Sequence, residues 1–235
     1  MAQIKKLLTD KVYLPRTSSK NILSQPMTCP CCTSRPSPPK ITSVIFDIGN
    51  VLAPFDYRRA YERFAALAPA GSPPLDHAAL AALQAEVESG RITHEEFIRR
   101  ARPLFSFTGS DEEFIAIWED IFDGNPPLHS LVAELAKRGV PLYLLSNIGY
   151  IHRKYLFRKF PAFAHFRDGI YSYEVGLLKP APRIFRLAVE RLGVSPEHTL
   201  YVDDLPANCE AAAREGFATL CYDHRNHADA ERKII

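Results

Sequence analysis

The chain has 235 residues, 46% apolar, 24% charged and 11% aromatic, the mixture of one or two globular domains able to bury a sizeable core. No apolar run approaches the ~18–20 residues of a membrane span, and the composition excludes collagen, a coiled coil and a wholly disordered chain. The net charge of +2 divides unevenly: residues 1–40 carry seven bases against one acid and the other 195 carry 22 bases against 26 acids, so the body shows no nucleic-acid footprint.

Residues 1–40 hold six prolines, five serines and four threonines with little periodicity. Such a segment cannot bury enough apolar area to offset its ordering entropy and reads as a disordered, basic N-terminal extension. Two other readings stand beside it. A targeting peptide would be basic and acid-poor, as this is, but richer in arginine. A metal knuckle at Cys29, Cys31 and Cys32 lacks the further ligands that would complete it. Five cysteines, with Cys209 and Cys221 isolated in the body, do not make a secreted disulfide framework and point to a reducing, cytoplasmic setting.

From residue 41 the pattern becomes regular. Residues 41–47 (ITSVIFD) form a short apolar run that ends in a carboxylate before Gly49, the mark of a buried parallel strand. Between Tyr57 and Gly124 the periodicity is purely helical. Tyr57, Ala60, Tyr61, Phe64 and Leu67 mark one apolar face. Asp76 can cap a second helix carrying Leu80, Leu83 and Val87. Thr93 with Glu96, and Ser110 with Glu113, fit capping boxes for a third and a fourth. Leu128–Arg138 is a helix that ends at Gly139, followed by a strand at Val140–Ser146. Gly169–Tyr173 is a weaker strand, Ala181–Leu192 a helix, Thr199–Val202 a strand, Pro206–Glu215 a helix and Phe217–Cys221 the last strand. Alternating strands and helices predict an α/β fold: a Rossmann-like parallel sheet over 41–56 and 126–235, with a small four-helix domain inserted over 57–125.

Four features follow successive strands: Asp47 in FDIGNVL, Ser146 and Asn147 in LLSNIG, Lys179 in GLLKPAPRIF, and Asp203 and Asp204 in YVDDLPAN. The carboxyl edge of an open α/β sheet is where ligands bind. Clustered carboxylates repel one another unless a cation joins them, and a few hard oxygen ligands suit Mg²⁺. Lys179 and Ser146 suit phosphate oxygens, and Gly49 allows a close backbone approach. A carboxylate beside a metal-held phosphate is a known kind of covalent nucleophile.

On these motifs the chain resembles the haloacid-dehalogenase superfamily of phosphohydrolases over residues 41 to about 225. It is most similar to the subgroup with a helical (C1-type) cap, and within it to the α-D-glucose-1-phosphate phosphatases. The resemblance implies that Asp47 is the nucleophile and forms an aspartyl-phosphate. It implies Mg²⁺ held by Asp47, the Gly49 carbonyl and Asp204, with Asp203 bound directly or through water. Phosphate would be held by Ile48, Gly49, Ser146, Asn147 and Lys179, with Asn208 behind them. The implied partner is a small phosphorylated metabolite, a sugar phosphate first, with no nucleic acid or membrane, for a monomer or homodimer. One departure matters. Most phosphatases of this superfamily carry a general acid two residues after the nucleophile, where this chain has Gly49, and such help is typically worth ~10²–10⁴ in rate. Good leaving groups, a substitute such as Asn50 through a water, or altered or lost chemistry would each accommodate it. A hydrolytic dehalogenase and a binding pseudo-phosphatase are the alternatives.

Other residues read more plainly. His224 and His227 with Asp223 read as solvated surface, and Arg58 and Arg59 as solvated charges that could also greet an anion. Phe114, Trp118 and Phe122 read as core, as does Cys209. His152 reads as a surface turn that could contact substrate.

Overall fold

The computed structural model describes residues 40–223; the expectations for residues 1–39, His224 and His227 lie outside the described residues. Five strands, β1 (Ser43–Phe46), β2 (Leu142–Ser146), β3 (Asp168–Tyr171), β4 (Thr199–Asp203) and β5 (Ala218–Cys221), form one sheet in the order β3-β2-β1-β4-β5. Every neighbouring pair is parallel, with Phe46 opposite Leu144 on one side and Val202 on the other. Asp47 therefore leaves the central strand with Ser146 and Asp203 ending the strands beside it.

Both faces of the sheet are covered, which explains strands that are apolar at successive positions. Ile45, Leu145, Ile170 and Tyr201 face α8 (Pro182–Leu192) and α9 (Pro206–Arg214). Val44, Phe46, Leu144 and Val202 face α5 (Pro126–Lys137) and α6 (Tyr150–Lys159). The third strand is shorter at its end than its apolar pattern suggests. Ser172 and Tyr173 belong to a single-turn helix, α7 (Ser172–Val175), closed by Gly176 at φ +66°.

Four helices stand between β1 and α5: α1 (Arg58–Leu67), α2 (His77–Glu88), α3 (His94–Leu104) and α4 (Asp111–Glu119). Asp76 caps α2 by accepting from Ala79 N at 2.9 Å. Ser110 and Glu113 close a full capping box on α4. The box expected on α3 is half made: Thr93 accepts from Glu96 N, but the Glu96 carboxylate is held by Arg99 at 2.6 and 2.8 Å. Phe64, Phe97, Phe105, Phe114 and Trp118 fill the space between these helices, with Phe64 stacked on Phe105 at 4.2 Å. This aromatic cluster is continuous with the apolar face of the sheet through Ile48, Val51 and Leu52, so the insertion and that face bury one core.

The chain enters and leaves the insertion through two paired segments. Asp56 N donates to Ile121 O at 3.0 Å, and Asp123 N to Pro54 O at 2.8 Å. Arg59 pairs with Asp123 across them and Arg58 with Asp56, so neither arginine is left to meet an anion. Among the described residues no helix is long and apolar enough to cross a membrane.

Candidate active site

The site is built at the carboxyl edge from the ends of β1, β2 and β4 and the segment after α7. Asp47 N donates to Val202 O at 2.8 Å, which locks the residue onto β4. The chain then folds back sharply. Ile48 O accepts from the N–H groups of Val51, Leu52 and Ala53, and Asn50 takes φ +52°. Asparagine tolerates that left-handed conformation better than most side chains. Its amide donates to Asp204 Oδ2 at 3.2 Å, tying the turn to the end of β4. Ile48 and Gly49 keep their own N–H groups outside the hydrogen bonds of this turn and can face an anion.

Lys179 is the centre of charge. Its side chain is 1% exposed, and its ammonium lies 2.8 Å from Asp47 Oδ1 and 2.7 Å from Asp203 Oδ2. The lysine is held there by Asn147, whose amide donates to Lys179 O at 3.0 Å and whose carbonyl accepts from Lys179 N at 2.9 Å. Asn147 thereby positions Lys179, with its second amide hydrogen outside this clasp.

Asp203 is saturated. It accepts from Lys179, from the Tyr201 hydroxyl, from Asn208 at 3.0 and 3.1 Å and from Leu205 N at 2.9 Å. Burial alone would raise its pKa, but Lys179 and these donors hold the carboxyl below its ordinary range. Asp47 differs. Burial pushes it up to about 6, against the pull of Lys179 and with the push of Asp203. Its buried Oδ1 is ion-paired with the Lys179 ammonium at 2.8 Å and has no other partner. Asp204 is only partly buried, and burial is also the main reason that its pKa is raised.

Three carboxylates against one ammonium leave two negative charges in a nearly closed space. Asp47, Asp203 and Asp204 each offer an oxygen within 4.8 Å of the others. A hard divalent cation relieves that repulsion. The residues therefore fit Mg²⁺. Asp47 and Asp204 have capacity to spare, whereas Asp203 has spent its oxygens on nitrogen and hydroxyl donors, which weakens the expectation that it binds metal directly. Asn208 stands behind it, as expected, and Ser146 donates to Asp47 from a buried position.

Two residues that sequence reasoning passed over complete the surroundings. Tyr201 reaches Asp203 because residues two apart in a strand share a face, a signal legible in YVDD. Phe55 was not legible. It returns from the hinge to lie over Gly49, where a Cβ would stand 3.0 Å from its ring.

Behind the site, α2 ends against the core. At Gly90, φ is +67° and a Cβ would fall 2.3 Å from Tyr173 O, so only glycine permits this approach. Here Tyr57, Gln84, Glu88, His94, Trp118 and His152 line a cavity of about 20 Å³, room for about one water. His152 is not a surface residue. It is buried, stacks on Trp118 and donates Nε2–H to Trp118 O at 3.0 Å, and burial lowers its pKa to about 4. Burial raises Glu88 from 4.5 to about 7.

These two shifts predict opposed pH effects. Glu88 stays protonated in the folded chain while the unfolded chain ionises, so its contribution favours the fold below about pH 4.5 and is lost as pH rises to about 7. His152 costs stability as pH falls from 6.5 toward 4. Glu88→Gln should raise stability near pH 8 by about 2 kcal/mol relative to its effect at pH 4.5. Chemical denaturation at the two pH values checks this, and an identical effect at both would contradict it.

The sequence profile of the haloacid dehalogenase-like hydrolases matches residues 41–216. The chain belongs to that family. It is an enzyme of the hydrolase class, and the family's members include several phosphatases similar to it. Over 204 residues the chain is 28% identical to the D-ribitol-5-phosphate phosphatase of Bacteroides thetaiotaomicron, covering 83% of this chain and 97% of that one. It is 38% identical to the phosphoserine phosphatase of Thermus thermophilus over 90 residues, 38% of this chain and 36% of that one. Among solved structures, a family enzyme from B. thetaiotaomicron superposes with a TM-score of 0.70 at 27% identity, covering 80% of this chain and 98% of that one. A second structure of that enzyme, in complex with magnesium and inorganic phosphate, gives 0.66 at 28% identity, covering 77% of this chain and 93% of that one.

Proposed function

We propose that this hydrolase is a magnesium-dependent phosphomonoesterase acting on a small phosphorylated metabolite, a sugar phosphate first, through an aspartyl-phosphate on Asp47. The observation that carries the reading is the buried cluster of three carboxylates, Asp47, Asp203 and Asp204, against the single ammonium of Lys179. A dehalogenase needs no such metal-binding cluster. The polyol phosphate named for the Bacteroides relative supports the substrate class.

Asp47, Asp204 and the Gly49 carbonyl would hold Mg²⁺, which when bound supplies charge neutralisation for the carboxylates and the phosphate. The N–H groups of Ile48 and Gly49, the Ser146 hydroxyl and the Lys179 ammonium receive the phosphoryl oxygens. An Asp47 oxygen attacks phosphorus in line, the bond to the leaving oxygen breaks, and water then hydrolyses the acyl phosphate. Lys179, fixed by Asn147, keeps Asp47 ionised against its burial. The four-helix insertion serves as the cap over the site and chooses among leaving groups.

Phosphate release from p-nitrophenyl phosphate and a panel of sugar and polyol phosphates tests the reading. Turnover with Mg²⁺ that falls at least about a hundredfold in chelator is the expected result. Turnover undiminished by chelator, or halide release from a haloacid, would overturn it.

A further inference from the structure

The reaction has to dispose of a leaving oxygen, and the side of phosphorus on which it departs is the one remote from Asp47 and the sheet. With the phosphoryl oxygens on the Ile48 and Gly49 N–H groups, as proposed, that side would lie toward the turn after β1 and the hinge. Gly49 offers no side chain there. The space that a side chain at this position would enter is taken by Phe55, whose ring stands 3.0 Å from the Cβ position. The ring is held by Tyr57 at 5.5 Å and Phe122 at 5.8 Å and is 39% exposed. The nearby polar groups are already committed. The Asn50 amide donates to Asp204, Lys179 serves Asp47 and Asp203, and Asp203 accepts from four donors.

We propose that Phe55 occupies the place of an acid–base side chain at the leaving side, so that the enzyme works there without proton transfer from the protein. The inference rests on the phosphatase reading and deepens it. In the first step the Asp47 oxygen–phosphorus bond forms, the phosphorus–oxygen bond of the ester breaks, and the leaving oxygen departs as an anion that takes its proton from water. Within the proposed substrate class, sugar phosphates with a less basic, anomeric leaving oxygen are therefore preferred over primary alkyl esters, with an apolar surface of the leaving group lying against the Phe55 ring. The second step suffers for every substrate alike. Water must attack the aspartyl-phosphate without a protein base, so the phosphoenzyme accumulates and its hydrolysis limits turnover.

The test is a series of aryl and alkyl phosphates of graded leaving-group pKa, followed by stopped flow with Mg²⁺. The expected result has three parts. kcat/KM falls steadily as leaving-group pKa rises. The most activated esters share one kcat. They also give a burst of phenol close to one equivalent per enzyme. Gly49→Asp alone gains little on alkyl phosphates, because its side chain meets the ring. Gly49→Asp with Phe55→Ala gains about a hundredfold, the low end of general acid–base catalysis, and loses the burst. A flat dependence on leaving-group pKa with no burst overturns the inference while leaving the phosphatase reading intact. So does a dependence that turns steep only in Glu88→Gln, which would assign the proton to Glu88. Release of phosphate from no ester at all would instead defeat the underlying reading.

Discussion

Asp47→Asn removes phosphate release, by at least about a thousandfold, while leaving the fold as stable as before. The loss follows because the attacking atom is gone: Asp203 is saturated by Lys179, Tyr201, Asn208 and Leu205 N, and Asp204 would be taken up by the metal. The unchanged stability follows from the electrostatics. Burial already disfavours the Asp47 charge, holding its pKa near 6, and the carbonyl of an amide of the same shape can still accept from Lys179. Lys179 keeps its partner in Asp203. Kinetics beside a thermal melt check both halves. An inactive variant whose melting temperature has dropped by more than a few degrees would show that Asp47 is structural.

Lys179→Met has the opposite character: it destabilises as well as inactivates. The ammonium is 1% exposed and bridges two buried carboxylates, so its removal leaves Asp47 and Asp203 facing each other uncompensated. Breaking a buried pair in this way costs about 3–5 kcal/mol, which for a chain of this size is a fall of roughly 10 °C in melting temperature. The carboxylates can recover part of that cost by taking up a proton. Their folded pKa values rise above the unfolded value, so stability is lost as pH climbs through that interval. The deficit should therefore be smaller at pH 5 than at pH 8. Scanning calorimetry at the two pH values decides it. A small, pH-independent deficit would mean that the lysine is not the counter-ion of this site.

What the sequence discloses and what it hides have physical reasons. The strands are legible because a parallel strand buried on both faces must be largely apolar at successive positions, as VIF in β1 and LYV in β4 are. The site residues are legible because each follows a strand directly, so topology alone brings Asp47, Ser146 and Asp203 to one edge. Side-chain commitments are different. Asn147 looks like a phosphate donor, and only the structure shows its amide clasping the Lys179 backbone, 32 residues away. Glu96 looks like a capping residue, but Arg99 one turn on competes for it and holds its carboxylate. Phe55 over Gly49 depends on the path of the hinge, which no local periodicity encodes. His152 misleads for a similar reason. A polar residue at the start of α6 reads as surface, yet the insertion folds down over it and Trp118 stacks on its ring.

The central claim is that Asp47 becomes covalently phosphorylated. The most direct measurement is to mix the enzyme and Mg²⁺ with an activated aryl phosphate, quench within the first turnover, and reduce with borohydride, which converts an aspartyl-phosphate to homoserine. Peptide mass spectrometry then locates the reduced residue. The account predicts homoserine at position 47, absent when substrate is omitted and absent in Asp47→Asn. Turnover with no modified residue, or a label on any other side chain, would contradict it.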